Sequence, residues 1–202
     1  MKKLLFLLIA GYSFTATAQK LPDIGLYKIH LTDTDKTIVA DINLVSKPPV
    51  KQDLYYHWYN ANMIHVTQGG YSGKLLNGTY TELYLNKNVK VQGSFKNGLM
   101  HNTWKTWNIN GLLINVYNWD EGIMNGEFRL YDGKGKVLEK GTYKKGRLNG
   151  LVRTYSEPDS VKVVNYADGK IVPLSNSSFW SKFNPKKLFH HPKPGDTTGK
   201  HK

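Results

Sequence analysis

The stretch Tyr143-Lys144-Lys145-Gly146-Arg147-Leu148-Asn149-Gly150 decides how this chain is read, because its pattern recurs on both sides. Stepping back 24 residues from Tyr143 reaches Trp119, then Phe95, then Tyr71; stepping forward 23 reaches Tyr166. Three residues after these rings stand Gly98, Gly122, Gly146 and Gly169, while the first unit has Lys74, with Gly73 one place early. Seven residues after come Gly78, Asn102, Gly126 and Gly150. Nine after come Tyr80, Trp104, Phe128 and Val152, and twelve after come Leu83, Trp107, Tyr131 and Tyr155. Columns that agree over successive units mark an internal repeat, and a repeat decides the architecture.

Each unit holds two turn signals. One is Asn97-Gly98, Glu121-Gly122, Lys145-Gly146 and Asp168-Gly169. The other is Asn110-Gly111, Asp132-Gly133 with Gly135, and Glu157-Pro158-Asp159. Tight hairpin turns need positive φ, which Gly and Asn accept at little steric expense. Between the turns run segments rich in aromatic and β-branched residues, such as Leu112 to Trp119 and Val161 to Tyr166, the composition of strands. The expected fold is all-β: an elongated single-layer antiparallel meander of hairpin repeats about 24 residues long. Its rings must shelter one another from one unit to the next. The glycine seven after each ring should mark a sharp bend or a close backbone approach.

Phe95-Lys96-Asn97-Gly98, followed by Asn102, Trp104 and Trp107, resembles the MORN repeat, and residues 143–150 resemble it more closely. The ring spacing and unit length are similar to the bacterial variant found in YwqK-type antitoxin proteins. The resemblance spans Gly69 to Ile171. It implies a hairpin ladder acting as a scaffold, a lipid binder or a partner-binding module, with an antitoxin-like immunity role as one further implication. Lys74, Asn102 and Val152 depart from the pattern, which implies irregular twist in those units.

Outward from the repeats, Tyr56 and Tyr59 fall on the ring columns of a half-unit starting at Lys47, where Pro48 and Pro49 interrupt the pattern. Upstream, Leu26–Leu31 and Ile38–Val45 alternate around Thr32-Asp33-Thr34-Asp35-Lys36-Thr37, which reads as a capping hairpin for the first sheet edge. The Asp-Thr-Asp triplet lacks the glycine and distal Glu of a calcium loop and reads as a plain turn. Lys2 and Lys3, the apolar run Leu4–Ala10, and Ala16-Thr17-Ala18 form an export signal with cleavage after Ala18. The run is far shorter than the roughly 20 residues of a spanning helix, so no transmembrane segment is expected. The organisation is therefore a signal peptide at 1–18, an N-terminal hairpin cap at 19–46, a repeat domain at 47–172 and a C-terminal segment at 173–202. Phe179, Trp180 and Phe183 read as a last docking apolar segment or a short helix, and Lys186–Lys202 reads as a basic, disordered tail.

Composition narrows the function. With no cysteine, the chain has neither disulfides nor thiolate chemistry. The formal charge of +13, or +11 without Lys2 and Lys3, favours acidic partners: an envelope protein, an anionic glycan or a lipid surface. An exported chain meets little nucleic acid, so none is expected as a partner. No serine sits in a nucleophile elbow and no HExxH occurs. The histidines are scattered; His190-His191 reads as part of a solvated tail, and no metal site or cofactor is expected. Glu82 and Glu127 on predicted strands are the acids to watch for a glycosidase-like pair, but solvated surface roles suit them better. The expectation is a non-enzymatic interaction scaffold in the periplasm or at the cell surface.

The rings admit two readings. They form the sheet's own core, or one column stays open and stacks on sugars or a partner's side chains. On the second reading the candidates are Trp107, Tyr131 and Tyr155, with Lys105, Arg129 and Arg153 beside them as cationic contacts. The three cations share the column ten residues after each ring, making a basic stripe that either attracts an anionic surface or is simply solvated.

Overall fold

The computed structural model describes residues 26–45, 47–156 and 160–174. The export signal, the Glu157-Pro158-Asp159 turn, the apolar segment at Phe179, Trp180 and Phe183, the basic tail and His190-His191 lie outside the described residues. Among the described residues the chain is all-β, with fifteen antiparallel strands in one open sheet. They are β1 (Leu26–Thr32), β2 (Lys36–Asn43), β3 (Tyr55–Asn60), β4 (Met63–Gln68), β5 (Lys74–Tyr84), β6 (Val89–Lys96), β7 (Leu99–Trp107) and β8 (Leu113–Asp120). Then follow β9 (Ile123–Met124), β10 (Gly126–Tyr131), β11 (Val137–Lys144), β12 (Arg147–Leu148), β13 (Gly150–Ser156), β14 (Ser160–Ala167) and β15 (Lys170–Val172). Among the described residues no helix is long and apolar enough to cross a membrane.

The main path runs β1-β2-β5-β6-β7-β8-β10-β11-β13-β14-β15, with short β9 and β12 continuing the strands on either side. The repeat turns behave as their composition predicts. Asn97-Gly98, Glu121-Gly122, Lys145-Gly146 and Asp168-Gly169 all have positive φ at both positions, the geometry that matches strand twist in a two-residue hairpin. Each turn glycine also ties its unit to the one before. The N–H groups of Gly98, Gly122, Gly146 and Gly169 donate to the carbonyls of Leu76, Met100, Met124 and Leu148 at 2.7, 2.8, 2.8 and 2.9 Å. A second tie comes from side chains. Asn77 Oδ1, His101 Nδ1 and Asn125 Oδ1 accept from the amides of Asn97, Glu121 and Lys145.

The column seven residues after each ring has a definite role. Gly78, Asn102, Gly126 and Gly150 all have positive φ, at 109, 59, 115 and 90°. In register they lie opposite Phe95, Trp119, Tyr143 and Tyr166, the leading rings of the next units. Asn102 replaces glycine there because Asn tolerates the left-handed region better than other side chains.

Strand alternation and register put the leading rings and the rings nine later on one face. Tyr80, Phe95 and Trp104 meet with centroids 4.9 to 5.5 Å apart, and Phe128 lies 5.9 Å from Tyr117 and 5.1 Å from Tyr143. Gly93 and Gly141 leave room beneath two of these rings. A Cβ at Gly93 would sit 2.3 Å from Trp104, and one at Gly141 2.8 Å from Phe128.

The irregular half-unit behaves differently. β3 and β4 form a hairpin about Ala61-Asn62, both at positive φ, and leave the main path. β5 is long enough to serve two partners: Leu76–Tyr84 pairs with β2, and Lys74–Leu75 pairs with β3. The His57 amide donates to the Gly98 carbonyl at 2.8 Å, docking the hairpin on the first repeat turn. Tyr56 and Trp58 enter one core cluster with Leu54, Leu75 and Leu99. Tyr59 and Ile64 pack on the other, formed by Ile29, Ile38, Ala40, Ile42, Leu76, Tyr80, Phe95 and Trp104.

Candidate functional site

The face opposite the stacked rings holds the three candidate cations. Lys105 on β7 pairs with Val116 on β8, Val116 with Arg129 on β10, Arg129 with Lys140 on β11, and Lys140 with Arg153 on β13. Lys105, Arg129 and Arg153 thus stand in one register row running across the strands. Neighbouring strands are about 4.8 Å apart, so successive units place a cation about every 10 Å. Lys105 and Arg129 are exposed, and Arg153 is half-buried.

The candidate rings divide. Tyr131 follows a bulge between Leu130 and Tyr131, so alternation does not place its ring, but its side chain bonds to Arg129; Tyr131 first, then Glu127, raises the Arg129 guanidinium further above its ordinary value. Arg129 Nη2 donates to Glu127 Oε2 at 2.9 Å. Lys140 Nζ lies 5.6 Å above the Tyr155 ring centre, a cation–π contact that places Tyr155 with the basic row. Trp107 follows a bulge between Thr106 and Trp107, so alternation does not carry its ring to that face, and its carbonyl accepts from Tyr84 Oη at 2.9 Å. All three rings are half-buried.

Lys140 is the member that sequence columns alone do not reveal. Its column holds Gln92, Val116 and Val163 in the other units, so no periodic signal marks it. The signal that finds it is the hairpin register: closing β10 on β11 around Asp132–Lys136 sets Arg129 against Lys140.

Glu82 and Glu127 do not form a pair. Glu82 lies on the ring-bearing face, where Tyr80 Oη donates to it at 2.5 Å and Lys36 Nζ is 3.8 Å away. Glu127 lies on the opposite face with Arg129. Among the described residues no group of three or more His, Asp or Glu side chains could hold a metal ion. Asp33 Oδ1 accepts from the Thr34 amide at 2.7 Å, and the Asp33 amide donates to the Lys36 carbonyl at 2.8 Å, which closes the turn. No family model matches the chain, and no curated protein matches it.

Proposed function

We propose that this chain is an exported, non-enzymatic scaffold of MORN-type repeats that works in the bacterial envelope and holds a partner protein. One observation carries the reading: Lys105, Arg129 and Arg153 fall in a single register row on the face that does not bear the stacked rings. An open sheet face with regularly spaced cations and adjacent tyrosines suits an acidic surface of matching length. The same row favours a second reading, in which the partner is an anionic wall glycan or lipid surface. The two differ in the partner, not in the face.

The test is capture from envelope extract by the full chain and by a variant carrying Lys105→Glu, Arg129→Glu and Arg153→Glu. The scaffold reading expects one defined protein held by the native chain and lost by the variant, with both giving the same circular dichroism. Capture that survives all three reversals refutes it. Sedimentation with peptidoglycan or acidic vesicles that weakens as salt rises, without protein capture, would put the second reading in its place.

A further inference from the structure

We infer that Arg129, Lys140 and Arg153 form a cradle for a doubly charged phosphate-class oxyanion. The inference deepens the proposal above and rests on that face being the binding face. Its starting point is an energetic anomaly in the sheet. Like charges directly opposite each other on neighbouring strands destabilise a sheet. Here three follow in immediate succession, Arg129 against Lys140 and Lys140 against Arg153. The equivalent row in the preceding unit sets its cation against neutral partners, Gln92 and Val116 flanking Lys105. The hairpin geometry therefore does not require the crowding.

The surroundings relieve it only in part. Glu127 reaches Arg129, while Glu139 belongs to the other face and accepts from Thr154 Oγ1 at 3.1 Å. Three cations against one carboxylate leave an excess of two positive charges, which matches a phosphate group carrying about −2 near neutral pH. The next row along the strands sets Glu127 against Thr142. Thr142 is short between longer neighbours, and the result is a depression of about 230 Å³ lined by Glu127, Arg129, Lys140, Thr142, Leu151 and Arg153.

The donors suit the ligand. Arginine presents a planar fork that grips two oxygens of a tetrahedral oxyanion, and lysine adds a point charge. Two of the three are already oriented, Arg129 by Tyr131 and Glu127 and Lys140 by the Tyr155 ring. Less side-chain freedom remains to be lost on binding.

The test is titration of the full chain with inorganic phosphate at pH 7.8, against chloride at matched ionic strength, followed by backbone amide shifts. Expected is saturable movement centred on Lys140, Thr142 and Arg153. Lys140→Ser should weaken it roughly tenfold, the loss of one charge-assisted contact. Glu127→Gln, which removes the competing carboxylate, should tighten it, and Lys170→Ser, at an exposed cation on β15 outside the basic row, should leave it unchanged. Phosphatidylcholine vesicles with and without phosphatidic acid separate a lipid source of the phosphate from a soluble one. Shifts that follow ionic strength alone overturn the cradle, as does equal weakening by Lys170→Ser and Lys140→Ser, or no tightening by Glu127→Gln. In any of those cases the capture experiment with the triple reversal still stands or falls by itself.

Discussion

Residues 26–104 and 105–174 share one sheet but keep their rings from water in different ways. In the first region the β3–β4 hairpin supplies a local second layer, and Ala40 and Leu76 are completely inaccessible. In the second, among the described residues, no hairpin covers the sheet, only Phe128 and Val152 are buried, and Tyr117, Phe128 and Tyr143 cover one another. The periodic columns thus suffice to make hairpins and to align rings. Full burial comes where the aperiodic β1–β2 and β3–β4 hairpins meet the first repeat strands. An open sheet gains its stability where a second surface lies on it.

The largest difference between the two regions should come from deleting core volume on each side. Leu76→Ala should cost about 3–4 kcal/mol, the range for a well-buried leucine whose site cannot collapse. Val152→Ala, on the uncovered face, should cost only about 1 kcal/mol. Urea midpoints at a common slope measure both, and equal losses would mean that the covering hairpin contributes nothing special.

A finer contrast uses one column and nearly one backbone angle. Gly98 and Gly146 sit at φ +80 and +79°, so alanine is strained at either. At Gly146 the new Cβ would meet only Ile123, at 3.4 Å, and the loss should be about 1–2 kcal/mol. At Gly98 it would lie 2.5 Å from Leu75 and 3.1 Å from the His57 carbonyl, adding overpacking and bringing the loss to about 3 kcal/mol. Thermal unfolding of the two variants gives the difference directly. A Gly146→Ala loss as large as that of Gly98→Ala would contradict the layered arrangement.

The smallest effect concerns pH. Burial depresses the His57 pKa below 6.5, outweighing a backbone bond to Gly98, and Nδ1 is buried with no hydrogen-bond partner among the described residues. The ring lies 4.7 Å from Phe95 in the covered region. Because the folded chain holds this proton less tightly than the unfolded chain, the contribution is complete above about pH 6.5 and is lost as pH falls through the depressed value. The denaturation midpoint should therefore drop from pH 7.5 to pH 5, and His57→Phe should remove part of that drop. A variant with the native pH profile would clear His57 of the role.

Much of this was legible in the sequence because turns and registers are local. Glu121-Gly122 and Lys145-Gly146 announced hairpins, and the spacing of Phe95, Trp119 and Tyr143 aligned the units. The β3–β4 hairpin was not legible. Its turn is Ala61-Asn62 without glycine, and its place depends on β5 being shared between two partners, a tertiary choice. At the candidate site the row of Lys105, Arg129 and Arg153 could be read as a column. Trp107 and Tyr131 could not be assigned a face, because a bulge precedes each. Lys140 joins the row only through the pairing of β10 with β11, which no column records.

The most direct test of the account is residue-resolved amide hydrogen exchange along the whole ladder. The inter-unit amides of Gly98, Gly122, Gly146 and Gly169 make equivalent bonds and so compare like with like. The account predicts slowest exchange at Gly98, which lies under the covering hairpin, with protection falling stepwise towards Gly169. Uniform protection of all four, or the strongest protection at Gly146 and Gly169, would contradict it.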